Sequence, residues 1–180
     1  EVGGAGEERA ARTTRGRRRA AGSGMGPVGR RRRRDGREER VARAREHGAT
    51  VGTGGQRRAG GGFFIPPTVR TGVGPQCRVV NEEPFGPLAM ITPFADLDEA
   101  IGQANRLPLG LASYAFSNDL RVVDRLSREI RCGNVIINHW KVSFPETPFG
   151  GVLDSGVGLE GGIEGLQAFQ QIKFVSQAAQ

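Results

Sequence analysis

Two short stretches decide how this chain folds: Glu82-Glu83-Pro84-Phe85-Gly86-Pro87 and, further along, Pro148-Phe149-Gly150-Gly151. Each sets a phenylalanine between a proline, whose ring fixes φ, and a glycine, which tolerates backbone angles that are closed to other residues. A stretch of this kind follows one tight course and presents an aromatic face. The two stretches therefore predict two rigid turns, each displaying an aromatic side chain.

The composition changes near residue 60. Residues 1–60 hold 17 Lys and Arg against 7 Asp and Glu, a formal charge of +10, whereas residues 61–180 hold 9 against 12, a charge of −3. No aromatic residue precedes Phe63. The first part has little to bury, while the remainder has the composition of one globular domain. We predict that residues 1–24 are a disordered, low-complexity Arg/Gly-rich segment and that the like charges of Arg30–Arg34 repel one another.

Strand and helix signals alternate through the rest of the chain. Predicted strands lie at Ala49–Val51, Phe63–Ile65, Leu88–Phe94, Gly110–Phe116, Asn134–Asn138 and Ile172–Val175. Predicted helices cover Arg37–His47, Leu97–Asn105 after the cap Asp96, a stretch from Asn118 or Asp119 to about Arg131, and Gly162–Phe169. Apolar residues at helical spacing and capping residues carry these assignments. The alternation predicts an α/β fold with a mainly parallel sheet and flanking helices.

Residues 62–177 closely resemble the aldehyde dehydrogenase superfamily. Seven matching pieces occur in order, at residues 62–69, 82–87, 105–112, 133–138, 148–151, 154–162 and 173–175. A weaker likeness covers residues 25–27 and 44–55, and residues 1–24 match nothing in the family. The resemblance implies that residues 25–165 are part of a catalytic domain. It also implies that residues 166–180 hold a helix end and a strand that joins a neighbouring subunit, which makes a homo-oligomer the expected state.

The resemblance also implies roles for four residues. Glu83 matches the glutamate that accepts hydrogen bonds from the nicotinamide ribose of NAD or NADP, and Phe85 matches the aromatic at the nicotinamide end. Phe149 matches an aromatic of the aldehyde pocket. Ser143 stands where succinate-semialdehyde dehydrogenases hold the distal carboxylate of the substrate, so succinate semialdehyde is the expected aldehyde. The plainer interpretations are a solvated acidic pair for Glu83 and a turn residue for Ser143; Lys141 either adds charge for an acidic substrate or is solvated.

The residues that perform the family's chemistry are not found in this chain. In complete relatives a cysteine thiolate attacks the aldehyde, hydride passes to NAD(P)⁺, and a glutamate-activated water hydrolyses the thioester. Cys77 and Cys132 lack the Gly-Gln-x-Cys setting and any nearby His or helix N-terminus. We therefore assign no catalytic residue here, no metal ligand and no activity to the chain alone. The Gly156–Gly161 match to a GxGxxG pattern is rejected, since it follows a long loop rather than a strand.

Three functions of different classes stay open at this point. The first is a piece of an NAD(P)-dependent aldehyde dehydrogenase. The second is a non-catalytic interaction module that docks through its last strand. The third is an Arg-rich nucleic-acid binder, although a tail or a product of doubtful reading frame explains residues 1–60 more simply. No segment resembles a signal peptide or membrane span, so the expected location is the cytoplasm and no membrane partner is expected.

Overall fold

The computed structural model describes residues 2–16, 19–28, 35–36, 39, 49–55 and 63–179. Within it the chain divides into two compact units, Glu1–Pro93 and Phe94–Gln180. The domain boundaries predicted from the sequence lie elsewhere, after residues 24 and 165.

The first unit is built on a three-stranded sheet. Its strands are β1 (Thr50–Thr53), β2 (Thr68–Thr71) and β3 (Leu88–Ile91), in the order β1-β2-β3. β1 pairs with β2 antiparallel, and β2 pairs with β3 parallel. A single helical turn, α2 (Arg78–Asn81), connects β2 to β3 and carries the buried Val79. Val79 packs with Ala49, Val73 and Cys77 into the core of this unit.

Two of the three strands predicted for this unit are confirmed. Strands occur at the positions predicted from Ala49 and from Leu88, although the second ends at Ile91 instead of Phe94. The strand predicted at Phe63–Ile65 is wrong, because pairing begins only at Thr68. Pro66 and Pro67 have no N–H to donate to a ladder, and Thr68 is the first residue to do so, donating to Pro87 O at 3.0 Å.

Part of the N-terminal segment forms a helix. A helix, α1 (Val2–Arg12), occupies half of the segment predicted to be disordered, so that prediction is wrong for these residues. Glu8 and Arg12 form an i,i+4 ion pair on it. The backbone at Gly6 lies close to Val69 and Ile91 of the sheet. A helix with a glycine at its contact can approach a sheet closely and be stabilised there despite few apolar side chains. Arg30–Arg34 lies outside the described residues, as does Arg37–His47 apart from Glu39.

The second unit has three helices and two small sheets. Its elements in chain order are α3 (Leu97–Ala104), β4 (Leu109–Gly110), β5 (Ala112–Ala115), α4 (Leu120–Glu129), β6 (Asn134–Ile137), β7 (Val152–Leu153) and α5 (Gly162–Gln167). β5 and β6 pair parallel around α4, and β4 pairs with β7 antiparallel. The predicted caps are confirmed, since Asp96 Oδ1 accepts from Glu99 N at 2.8 Å and Asp119 Oδ1 accepts from Arg121 N at 2.8 Å.

Two expectations about the sheet are not met. Among the described residues two strand pairings are parallel and two are antiparallel, so the pairing is mixed and not mainly parallel. The structure also assigns no strand to Ile172–Val175, and Ile172, Phe174 and Val175 are exposed. A β-strand needs a partner for its ladder, and the described part of this chain offers none at that position.

Candidate functional site

The turn at residues 82–87 is fixed by its backbone. Gly86 has φ of 144°, a backbone conformation that residues other than glycine rarely adopt. Phe85 N donates to Glu83 O at 3.2 Å, and Leu88 N donates to Gly86 O at 2.8 Å. Pro87 O accepts from Thr68 N, which fastens the turn to β2. The predicted rigid turn is therefore confirmed, and it positions Glu83 and Phe85 immediately before β3.

The two neighbouring glutamates of this turn differ in their surroundings. Glu82 accepts a hydrogen bond from Arg78 Nε, one helical turn earlier, and this bond raises the pKa of Arg78. Glu83 is exposed and forms no ion pair with any residue that the structure describes. Phe85 is 62% exposed. The turn thus presents one available carboxylate and one aromatic face to whatever approaches it.

The second stretch, residues 148–151, lies at a junction of three backbone segments. Phe149 and Glu160 exchange backbone hydrogen bonds of 2.7 and 2.8 Å. A Cβ at Gly133 would lie 1.9 Å from Gly150 O, and a Cβ at Gly150 would lie 2.4 Å from Gly158 O. Only glycine permits such close approach of backbone to backbone. The half-buried Phe149 is consequently held in one position.

The loop between β6 and Phe149 carries Ser143. Asn138, with φ of 60°, begins the loop; its Oδ1 accepts from Ser117 N at 2.9 Å and its Nδ2 donates to Ser117 O at 2.8 Å. The far end is fixed by Gly162 N, which donates to Pro145 O at 2.9 Å. Ser143 is exposed between these two attachments. The loop therefore presents its hydroxyl to solvent from a tethered backbone.

The four predicted site residues fall into two pairs. Glu83 and Phe85 share one turn of the first unit, and Ser143 and Phe149 share one hydrogen-bonded loop region of the second. The structure brings the members of each pair into the same loop.

The two cysteines are both shielded from solvent, Cys77 fully and Cys132 in part. Cys77 is 6% exposed and packs in the core of the first unit. It stands at the N-cap of α2, so the expectation that neither cysteine lies near a helix N-terminus is wrong for this one, although the helix is a single turn. Burial raises the pKa of Cys132, whose Sγ donates to Asn134 O at 2.9 Å. No metal-binding group of His, Cys, Asp and Glu occurs among the described residues.

Three asparagines, to which the sequence patterns assign no role, join the segments of the second unit through side-chain hydrogen bonds. Asn105 Nδ2 donates to Glu129 O at 2.7 Å while its Oδ1 accepts from Arg131 N at 2.7 Å. Asn134 Nδ2 donates to the carbonyls of Leu111 and Gly150, both at 2.8 Å. Asn138 is the third. Each of them lies at the end or the start of a helix or strand, within one of the stretches that resemble the aldehyde dehydrogenase family. Asparagine at such a boundary is the sequence signal that could have identified them.

The GxGxxG match at Gly156–Gly161 has no dinucleotide-binding context. The preceding strand, β7, has two residues and pairs antiparallel, and the following helix, α5, has six. The pattern lacks the parallel strand and long helix that the fingerprint requires. In agreement with the sequence interpretation, these glycines form a sharp loop and a helix start.

Among the described residues, no helix combines the length and the apolar character that a membrane span requires.

Comparison with known proteins places this arrangement in a family. The chain is 41% identical over 160 residues to a 4-(hydroxymethyl)benzenesulfonate dehydrogenase of Comamonas testosteroni, covering 89% of this chain and 33% of that protein. It is 44% identical over 138 residues to a 3-sulfolactaldehyde dehydrogenase of Pseudomonas putida, covering 77% and 28%. The structure matches a succinate-semialdehyde dehydrogenase from Burkholderia pseudomallei with a TM-score of 0.85 and 38% identity, covering 89% and 33%.

The chain thus spans about a third of the length of these relatives. The profile of the Aldehyde dehydrogenase family matches residues 5–175. The match begins well before residue 25, so the expectation that residues 1–24 have no likeness to the family is wrong from residue 5 onward. This chain belongs to the aldehyde dehydrogenase family.

Proposed function

We propose that this chain is the C-terminal part of an NAD(P)-dependent aldehyde dehydrogenase, which oxidises succinate semialdehyde or a similar anionic aldehyde to the acid. The observation that carries the proposal is the difference between the two glutamates of the 82–87 turn. Arg78 engages Glu82, whereas Glu83 remains exposed beside the exposed ring of Phe85. That arrangement suits the family role assigned to Glu83.

The cofactor, NAD or NADP, supplies the hydride acceptor when it is bound. A carboxylate accepts two hydroxyl hydrogen bonds at once, and an ionised acceptor makes each of them stronger. Glu83 would hold the nicotinamide ribose in this way, and Phe85 would offer an apolar face to the nicotinamide end. The fixed turn supports this role, because a ligand would meet a carboxylate whose backbone is already ordered.

The names of the relatives support an anionic substrate. Two of the proteins compared above are named for sulfonated compounds and one for succinate semialdehyde, which carries a carboxylate. Ser143 would donate its hydroxyl to such a distal acid group, and Phe149 would line the pocket on the apolar side. Both stand on backbone that is tied to residues 160–162.

We expect the nucleophile and the general base to come from elsewhere in a longer protein. Cys77 is buried in the core, and burial disfavours the thiolate of Cys132. The 180-residue chain alone is accordingly expected to be inactive. The three-part division after residues 24 and 165, and a cytoplasmic location, remain predictions.

A second function, as an interaction module, is favoured by one observation. Ile172, Phe174 and Val175 at the end of the chain are all exposed apolar residues, at 102, 88 and 74%. A segment of this kind can add as a strand to the sheet edge of another subunit. We propose that it mediates homo-oligomerisation in the longer protein.

The test is an activity assay on the longest natural product of the gene, with NAD⁺ and with NADP⁺. Succinate semialdehyde is expected to be oxidised, the four-carbon neutral butyraldehyde much less efficiently, and the 180-residue chain is expected to turn over neither. Absence of oxidation by every product of the gene would overturn the proposal. Activity of the 180-residue chain would overturn the assignment of the nucleophile to another segment.

A further inference from the structure

The loop after β6 carries a lysine whose ammonium is held by an aromatic ring. Lys141 Nζ lies 4.2 Å from the centroid of the Phe144 ring, within the range of a cation–π interaction. Along this stretch exposed and half-buried residues alternate: Lys141 and Ser143 are exposed, and Val142 and Phe144 are half-buried. Lys141 and Ser143 are thus both accessible to solvent, two residues apart in the same loop.

The charge of Lys141 is not neutralised by the described part of the protein. None of the ion pairs within 4.0 Å among the described residues includes it. An ammonium has three donors, and a ring below it leaves donors on the opposite side available. Lys141 thus offers a localised positive charge with unused hydrogen-bond capacity.

The backbone around Lys141 is ordered by contacts on both sides. Asn138 is joined to Ser117 by two hydrogen bonds, and Pro145 is joined to Gly162. The ring of Trp140 packs at a tilt against Phe116, with centroids 4.7 Å apart, and lies near Tyr114 at 5.6 Å. A loop tethered in this way loses little conformational freedom when an anion binds.

We propose that Lys141 determines the specificity of this site, its ammonium binding the distal acid group of the substrate together with the Ser143 hydroxyl. The inference rests on the proposed function and extends it with a residue and a ligand chemistry. A compact ammonium acts as a point charge and does not require the planar geometry that a guanidinium matches. It accommodates a carboxylate and a tetrahedral sulfonate alike, so the substrate class is an aldehyde with a distal carboxylate or sulfonate.

The test uses binding to the 180-residue chain and needs no turnover. Trp140, the only tryptophan, adjoins Lys141 and reports on the loop through its fluorescence. Titration with succinate is expected to change the emission saturably, and titration with the neutral succinamide is not. Lys141→Met should weaken the succinate affinity by about tenfold, as expected for loss of a hydrogen bond to a charged group, while Lys141→Arg should largely preserve it.

The matched control is Lys173→Met, which removes the other lysine, also exposed and in the same unit. It should leave the titration unchanged, with circular dichroism confirming that all variants fold. Equal loss in the two methionine variants, equal binding of succinamide, or no saturable response in the unmodified chain would each overturn the proposal. Failure of the dehydrogenase assay alone would not, because anion binding is measured independently of turnover.

Discussion

Substitution of Gly133 by alanine tests the junction that holds Phe149. The added Cβ would lie 1.9 Å from Gly150 O and 2.9 Å from Gly150 C, both of them backbone atoms. Contacts below 3.0 Å are essentially never observed for a real Cβ, so one backbone segment must move by about 1 Å. Since no side chain can rotate away to relieve the clash, the strain must be taken up by the junction itself.

The energetic consequence follows from the bonds that meet there. Gly133 N donates to Gly110 O at 3.1 Å, Asn134 N donates to Leu111 O at 3.1 Å, and Asn134 Nδ2 donates to Gly150 O at 2.8 Å. A displacement of this size would weaken at least one of these bonds in addition to overpacking the site. We expect the free energy of unfolding of the second unit to fall by about 2–4 kcal/mol.

The assay is urea denaturation followed by the fluorescence of Trp140. Gly102→Ala is the matched control: it adds the same methyl group at an exposed position of α3, where no atom beyond the adjoining residues and the helix's own backbone lies within 4 Å. This control should stabilise the unit by up to about 1 kcal/mol, because alanine favours helix over glycine. Gly133→Ala should lower the midpoint and Gly102→Ala should raise it. A Gly133→Ala midpoint equal to that of the unmodified chain would show that the junction accommodates the added Cβ without strain.

Three further predictions concern local features of the second unit. Asp96→Ala removes the cap of α3 and should cost about 1 kcal/mol in the same denaturation assay, whereas an unchanged midpoint would show that the cap is dispensable. The hydrogen bond from Arg125 lowers the pKa of Glu129 in the folded chain. The pair should therefore stabilise the folded state at a pH above about 4.3, the pKa of an unfolded Glu, and this stabilisation should be lost as the pH falls through the lower pKa of the folded chain. Stability measured from pH 6 to pH 3 should show this loss, and Glu129→Gln should remove it; equal pH profiles would contradict the assignment. Cys132 should react slowly with a thiol reagent at neutral pH in the folded chain and rapidly in urea, because burial raises the pKa of its thiol; fast reaction in the folded chain would point to an activated cysteine.

Local signals in the sequence were sufficient for part of the fold. Asp96 and Asp119 each precede a run of helical periodicity, and both cap a helix in the structure. The strand that begins at Asn134 is likewise a short apolar run with its own boundaries. These elements depend on residues within a few positions of one another, which is the range that a sequence pattern can report.

The errors at the two ends of the chain share a physical cause, which is dependence on a distant partner. The helix α1 lies where composition alone predicts disorder, and it contacts a sheet that is formed more than 40 residues later. The strand expected at Ile172–Val175 has no partner strand in the described chain. The hydrogen bonds of Asn105 and Asn134 also reach 16 to 26 residues along the sequence. Such contacts follow from the tertiary structure and leave no local periodicity.

The candidate site shows the same division. The motifs supplied Glu83, Phe85, Ser143 and Phe149 through family resemblance, whereas the engagement of Glu82 by Arg78 and the contact of Lys141 with Phe144 became visible only in the structure. Those two contacts are what distinguish an available carboxylate from an engaged one and a fixed ammonium from a mobile one.

We propose that Glu83, and not its neighbour Glu82, holds the nicotinamide ribose. The most direct measurement is the steady-state kinetics of Glu83→Gln and Glu82→Gln in the longest natural product of the gene, with the cofactor varied. Glu83→Gln should lower kcat/KM for the cofactor by about tenfold or more, because charged hydrogen bonds to the ribose are weakened. Glu82→Gln, which removes the charged partner of Arg78, should change it by less than about threefold. Equal effects of the two substitutions, or a larger effect at Glu82, would contradict the account.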